Sequence, residues 1–245
     1  MSFFDLFPPP KFLSLATTDA FNTDKGIKFK SGTSANFANG ILPDEKAYLF
    51  TKSFDNVPKD GLYDAVAFIV EENVPISLKE AVFSYEIIEE DPPAGGGRIK
   101  VAVTVVPKSV ISEEIKRFES AGITVTSFYT ESQAIAREVI PQGDMRVHLI
   151  VNLAEKKTGF YIVEKRVVQF STTINHENGI ELREISEIKA KMEEVVGFWA
   201  SNVGPKAKIE RIFLCGARSS KADLVEALKA NAMGMQFANT ECWLN

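Results

Sequence analysis

One stretch limits the folds open to this chain more than any other. Met145 to Asn152, MRVHLIVN, is dominated by apolar residues and does not alternate cleanly with polar ones. It is too short to cross a membrane as a helix, which takes about 20 apolar residues. It reads as a strand buried on both faces, so its sheet must be covered by other layers on each side. A tight turn at Ala154 to Lys157 follows, and a second strand begins at Thr158. Gly159 to Val163 and Val167 to Ile174 continue the meander, and Asn175 to Gly179 punctuates it.

Helical periods alternate with such strands along the chain. Ile185, Ile188, Met192, Val195, Val196, Trp199 and Val203 fall on one face at 3.6-residue spacing, and Gly204-Pro205 stops the helix. A second buried strand, Ile209 to Cys215, leads to Gly216 and a last helix over Ser219 to Ala230. Earlier, Lys46 to Phe54 reads as a strand and Lys59 to Glu72 as a helix with Leu62, Val66, Ile69 and Val70 inward. Ala81 to Glu89 and Ile99 to Val106 form a hairpin across the turn-rich Asp91 to Gly97. Ser109 is placed to cap a helix whose stripe is Val110, Ile111, Ile115, Phe118 and Ala121, with Gly122 as its stop. Ile123 to Tyr129 is again a strand, so Lys46 to Tyr129 runs β-α-β-β-α-β, the order of a split α+β subdomain. Glu131 to Val139 is a short helix. Lys11 to Ala16 has strand character, whereas Thr17 to Ile41 is weakly patterned apart from Ile27 to Phe29.

Composition excludes several function classes. With 245 residues, 45% apolar and 25% charged, the chain can bury one large core or two small ones. The net charge is −5, and no Lys/Arg-rich run offers a nucleic-acid groove. The cysteines, Cys215 and Cys242, form no CxxC pair, and His148 and His176 are the only histidines, which argues against zinc. The N-terminal Phe3, Phe4, Leu6 and Phe7 are interrupted by Pro8 to Pro10 and do not make a signal peptide. They could pack on the body or touch a membrane surface or partner. The expectation is a soluble intracellular protein.

Two segments could carry chemistry. In phosphotransferase folds laid out like Val147 to Val163, the first strand ends in Asp-x-Gly. The acid positions a metal ion or water, and the glycine lets backbone N–H groups approach phosphate. Asn152 stands in the acid's place and Ala154 in the glycine's, with Lys157 and Thr158 as remaining polar candidates. The second segment is Gly216-Ala217 at a strand-to-helix turn. Both also read as purely structural turns. Neither histidine has an acid–nucleophile context, and no metal cluster stands out.

Taken in order, several stretches resemble a known family. FPPPKFLSL, LPDEKAYLF, the run from Val74-Pro75 through VVPKSVISEEIKRFESAGITVTSFYTESQAIAR, and IERIFLCGARSSKADLVEAL with terminal CWLN are similar to segments of PilM. PilM is the actin-like protein of type IV pilus assembly, related to FtsA. The resemblance implies an α/β, actin-like (ribonuclease H-like) fold of mixed sheets flanked by helices, with an inserted α+β subdomain. It divides the chain into residues 1–45 as a remnant of the first actin-like subdomain, 46–129 as the insert and 130–245 as the second actin-like subdomain. The family's closing subdomain is expected to be missing. It further implies a cytoplasmic scaffold at the inner face of the membrane, a PilN-like membrane-protein tail as partner, and other pilus machinery nearby.

Departures from the family bear on its cofactor. TTDAFNTDKGIKF keeps Asp24, Ile27 and Lys28 of the first phosphate hairpin but no clear glycine turn. The second hairpin has Asn152 and Ala154 for Asp and Gly while keeping Thr158 and Gly159, and the adenosine-side Gly-Gly becomes Gly216-Ala217. Segments after Phe29 and after Ile174 are shorter than in the family. Each lost charge-assisted hydrogen bond is worth roughly 1.5–3 kcal/mol, and micromolar ATP affinity totals about 8 kcal/mol. The expectation is therefore no cofactor, with ATP and magnesium disfavoured, no catalytic residue, and no metal ligand. The alternatives are a functional actin-like ATP-binding assembly protein, a small-molecule kinase, and a decayed chain with no function.

Overall fold

The computed structural model describes residues 17–23, 26–30, 32, 35–91, 97–176, 184–203, 208–230 and 235–242. The expected strand at Lys11 to Ala16, the Phe-rich N-terminus, Asp24 and the final Trp243 to Asn245 lie outside them.

In chain order the elements are β1 (Thr18–Thr23), β2 (Gly26–Phe29), β3 (Phe37–Leu42), β4 (Tyr48–Asp55), α1 (Leu62–Asn73), β5 (Ala81–Glu90), β6 (Arg98–Pro107), α2 (Lys108–Ser120), β7 (Thr124–Thr130) and α3 (Glu131–Val139). There follow β8 (Val147–Leu153), β9 (Lys157–Glu164), β10 (Val167–Asn175), α4 (Ile185–Val203), β11 (Ile209–Cys215), α5 (Ala222–Lys229) and β12 (Gln236–Asn239). They gather into two compact units, Met1–Glu131 and Ser132–Asn245.

The first unit holds two sheets. One has the order β2-β1-β3-β7, with β1, β3 and β7 parallel and β2 antiparallel at the edge. The other is the antiparallel β4-β6-β5. This corrects the reading of Lys46 to Tyr129 as one split subdomain. Three of its strands share a sheet, but β7 pairs with β3. Local pattern identified β7 as a strand; its partner was set by non-local burial. Ala20, Ala38, Phe118 and Ile123 are buried there together, and Phe128 meets Phe118 edge-on with ring centroids 6.5 Å apart. Gly40 lies close against that ring: a Cβ on it would be 2.4 Å from a ring carbon of Phe128, so the ring would have to shift.

Helix α1 covers the three-stranded sheet with the four residues its spacing singled out. Leu62, Val66, Ile69 and Val70 pack against Ile99, Val101, Val103 and Val105. Helix α2 departs from expectation at its start. Its N-cap position is Pro107, without a side-chain cap bond, so Ser109 lies inside the first turn and does not cap it. Gly122 does end the helix in the left-handed region, at φ 73°, with Ile123 N–H donating to Phe118 O at 3.0 Å. Glu114 interrupts the middle of the apolar stripe and is 3% exposed. Its carboxylate accepts from Lys46 Nζ at 3.3 Å, Arg117 Nη1 at 2.9 Å and Asn22 Nδ2 at 3.4 Å.

The second unit is one mixed sheet of order β10-β9-β8-β11-β12. The meander β8-β9-β10 is antiparallel, and β8, β11 and β12 run parallel. All seven residues of β8 are buried, as expected of its apolar run. Leu149, Val151 and Leu153 meet the stripes of α4 (Ile188, Met192, Val195, Trp199) and α5 (Leu224, Val225, Leu228) on one face. The other face is buried too, through Ile150, Asn152, Tyr161 and Cys215. The two units share a motif, an antiparallel strand beside three parallel ones: β2-β1-β3-β7 in the first and β9-β8-β11-β12 in the second. This is the mixed-sheet, actin-like α/β architecture implied by the resemblance. Strand β12, too short and polar to stand out in sequence, completes the second set.

Candidate functional site

The candidate residues converge on the tip of the β8–β9 hairpin and the turn after β11. Parallel pairing brings these together, because Cys215 on β11 sits in register with Asn152 on β8. The residue after Cys215 must turn sharply out of the sheet. Gly216 does so at φ 97°, ψ 163°, which L side chains rarely adopt. A Cβ there would lie 2.5 Å from Asn152 Oδ1 and 2.6 Å from Leu153 O. Gly216 is thus fixed by close backbone approach.

Asn152 is fully buried. Its Oδ1 is 4.0 Å from the Cys215 thiol, so the side chain lies between β8 and β11. On the neighbouring strand it pairs with Gly159. The Tyr161 side chain folds over that glycine so closely that a Cβ would be 2.1 Å from the phenol oxygen. The Asn152 amide is thus packed among Gly216, Gly159 and Cys215.

Thr158 belongs to the opposite face. It pairs with Leu153, one step from Asn152, and alternation along β9 turns it toward the side of Phe160 and Ile162. Its hydroxyl is 3.0 Å from His176 Nε2, and both residues are buried. His176 Nδ1 stands 3.9 Å from Glu187 Oε2, and its backbone N–H donates to Lys156 O at 2.7 Å. A hydroxyl, an imidazole and a carboxylate thus stand in line. Thr158 is 0% exposed, so the row joins strand ends and presents no reachable nucleophile.

Ala154 and Lys157 are half-buried at the hairpin tip, and Ala217 opens the short 3-10 turn Ala217–Ser220. Between them lies a contact that no motif signalled. Glu155 Oε2 accepts from Arg218 Nη2 at 2.8 Å, across 63 residues of sequence. Ser219 Oγ donates to Gly216 O at 2.7 Å. The structure therefore brings Asn152, Gly159 and Gly216 together, ties the tip to Ala217's turn through Glu155 and Arg218, and sends Thr158 to the far side.

At the other end of β8, on the face of Asn152, sits a second polar group. Asp144 accepts from Arg146 Nε at 2.9 Å and Nη2 at 2.6 Å, and from His148 Nε2 at 3.1 Å. The Arg146 guanidinium chiefly, with His148, holds the Asp144 carboxyl well below the usual carboxylate range. Burial lowers the His148 pKa against the pull of Asp144. His148 Nδ1 is buried with no hydrogen-bond partner among the described residues, which suits a neutral ring.

Two features of the hairpin bear on magnesium and nucleotide. A metal needs an exposed carboxylate at its end, and Asn152 supplies a buried amide. A phosphate needs convergent donors, and Thr158 faces away. Among the described residues no three His, Cys, Asp or Glu side chains could hold a metal ion. No described helix is long and apolar enough to cross a membrane.

No protein-family model matches the chain, and no curated protein matches it. Solved structures do. A chain of the PilM-PilN type IV pilus biogenesis complex superposes with a TM-score of 0.66 at 14% identity, over 85% of this chain and 70% of that one. The cytoplasmic domain of EpsL, an inner membrane component of the type II secretion system of Vibrio cholerae, superposes with a TM-score of 0.53 at 10% identity, over 85% and 70%. The chain therefore has the actin-like α/β fold of the superposed chain from the PilM-PilN complex.

Proposed function

We propose that the chain is a non-catalytic scaffold of a type IV pilus or related secretion machine, working in the cytoplasm at the inner face of the membrane. On this reading it holds the short cytoplasmic tail of an inner-membrane protein of the PilN kind and binds ATP weakly or not at all, as a pseudo-ATPase. The overlap with a chain of the PilM-PilN complex across 85% of the sequence carries this reading. The self-satisfied hairpin supports its second half, since Asn152, Thr158 and Glu155 are each engaged within the chain. The insert's sheet and helix α1 are a well-formed frame on which a tail could rest.

Two measurements test it. Immobilised tail of the cognate membrane partner should retain the chain at low salt, with or without Mg-ATP. Failure to retain it would remove the scaffold reading. Calorimetric titration with Mg-ATP should show no binding tighter than about 10 μM, some 7 kcal/mol. Tighter binding would favour a nucleotide-dependent actin-like assembly protein instead.

A further inference from the structure

Strand β10 forms one edge of the second unit's sheet, and among the described residues no strand pairs with its outer side. Such an edge presents a row of backbone N–H and C=O groups, which proteins ordinarily blunt with charge, proline or a bulge. The edges of the antiparallel sheet carry charge, Lys52 in β4 and Glu86, Glu89 and Glu90 in β5. Strand β10 reads VVQFSTTIN, with neither charge nor proline. Its one irregularity, between Val168 and Phe170, leaves Phe170 to Asn175 in unbroken register with β9. Phe170 to Ile174 are half-buried. Phe170, Thr172 and Ile174 share the face covered by α4, opposite Ile162, Phe160 and Thr158. There Phe198 of α4 packs on Phe170 with ring centroids 5.1 Å apart, and it stays 48% exposed.

We propose that β10 is a self-pairing edge, to which a second copy of this chain adds its own β10 antiparallel about a two-fold axis through Thr172. In an antiparallel ladder, residues directly opposite each other lie on the same face. A two-fold axis perpendicular to the sheet must therefore pass through a residue, and Thr172 is the centre of the regular, half-buried run. That register sets Phe170 against the second copy's Ile174, Ser171 against its Thr173, and Thr172 against its counterpart. These are aromatic–β-branched and hydroxyl pairs, which stabilise a ladder, and none sets like charges together. The two Phe170–Phe198 pairs then flank the axis on one face of the joined sheet. The ends match as well. Lys165 and Arg166 make the turn into β10, with Lys165 Nζ 3.9 Å from Glu164. Glu187, whose side chain is 59% exposed, stands beside His176 just past the end of β10. Antiparallel pairing brings the turn with two cations in one copy to the end of the other that carries Glu187. The contact is isologous, so it closes as a dimer, and it is independent of the scaffold reading.

The test is analytical ultracentrifugation of the full chain over a range of concentrations. Wild type should sediment as a monomer–dimer equilibrium with a Kd below about 100 μM. Thr172→Lys and Thr172→Glu each set like charges against each other at the axis, and each should weaken the dimer about tenfold or more. Mixed in equal amounts, the two should pair about tenfold more tightly than either alone, because the facing charges are now opposite. A thermal melt checks that each variant is folded. Phe198→Ser, on the exposed side of α4, gives a second reading that leaves the strand untouched and should weaken the dimer about threefold. The proposal is overturned if wild type stays a monomer at about 100 μM, which would leave the edge to a strand of another protein or to none. It is overturned equally if the folded Thr172 variants dimerise as tightly as wild type, or if their mixture does not recover the dimer. None of these readings involves the membrane-protein tail or Mg-ATP, so failure here is distinguishable from failure of the scaffold reading.

Discussion

The Oδ1 of Asn152 lies 2.5 Å from where a side chain on Gly216 would begin. The Asn152 amide is thus wedged against a backbone position where a side chain would clash. Both residues serve the joint between β8 and β11, and the consequences are measurable.

Gly216→Ala should cost about 2–4 kcal/mol in urea unfolding. The alanine must adopt a positive φ, and its methyl meets the Leu153 carbonyl, which cannot swing aside as a flexible side chain could. Gly197, inside α4, has nothing within 4 Å of its ideal Cβ. Gly197→Ala should instead stabilise by roughly 0.5–1 kcal/mol. Equal effects of the two substitutions would refute the packing argument.

An acid at position 152 should not create a nucleotide site. Asn152→Asp puts a carboxylate at a fully buried position, costing roughly 2–4 kcal/mol at neutral pH. Mg-ATP calorimetry on this variant should remain flat. A clear binding isotherm would show that the hairpin needs only its acid, and the self-satisfied description would fail.

Glu114→Ala should destabilise by about 2 kcal/mol. The value falls below the roughly 3–5 kcal/mol of a fully buried pair, because the Lys46 and Arg117 side chains keep 35% and 46% exposure and can turn to water. Glu114→Gln should cost less, since Asn22 and one cation keep an acceptor. Chemical denaturation ranks the two, and a larger loss for Gln would contradict the assigned contacts.

Stability should fall as pH falls, in two steps of the same sign. The folded pKa of His148 is lowered by burial from an ordinary 6.5. The unfolded chain therefore takes up the proton first, and stability present above about pH 6.5 is lost as pH drops toward the folded value. Asp144 is held below its ordinary 3.8 by Arg146, so its contribution is full above about pH 4 and is lost below that. Urea midpoints from pH 8 to 5 should decline for wild type and stay flatter for His148→Asn. Parallel profiles would show that His148 is not the titrating group.

Much of the fold was legible one element at a time. The stripe of α1, the seven-residue burial of β8 and the stop at Gly122 follow from spacing and residue type, which act over a few residues. Two strands of the first sheet were not. Its strands β1 and β3 hold Asp19 and Asn39 beside small residues, and their polar groups find partners only across strands. Asn39 Nδ2 donates to Asp19 Oδ1 at 3.0 Å, while its Oδ1 accepts from Thr126 Oγ1 at 3.0 Å and Ser127 Oγ at 2.8 Å. A register shift between Ala38 and Asn39 accompanies the convergence of these consecutive residues. No local pattern announces such a ladder.

The candidate site divides the same way. The sequence alone determined which residue types stand at the hairpin: Asn152 for the acid, Ala154 for the glycine, and Gly216-Ala217 at the second turn. Side-chain charge and size belong to the residue, so the uncharged amide at position 152 could be read directly. Tertiary structure alone decided that Asn152 and Thr158 face opposite sides of one sheet, that Tyr161 lies over Gly159, and that Glu155 reaches Arg218. Those facts depend on strand register and on pairs far apart in the chain. They are set by how the whole unit buries its apolar surface, which no single segment contains.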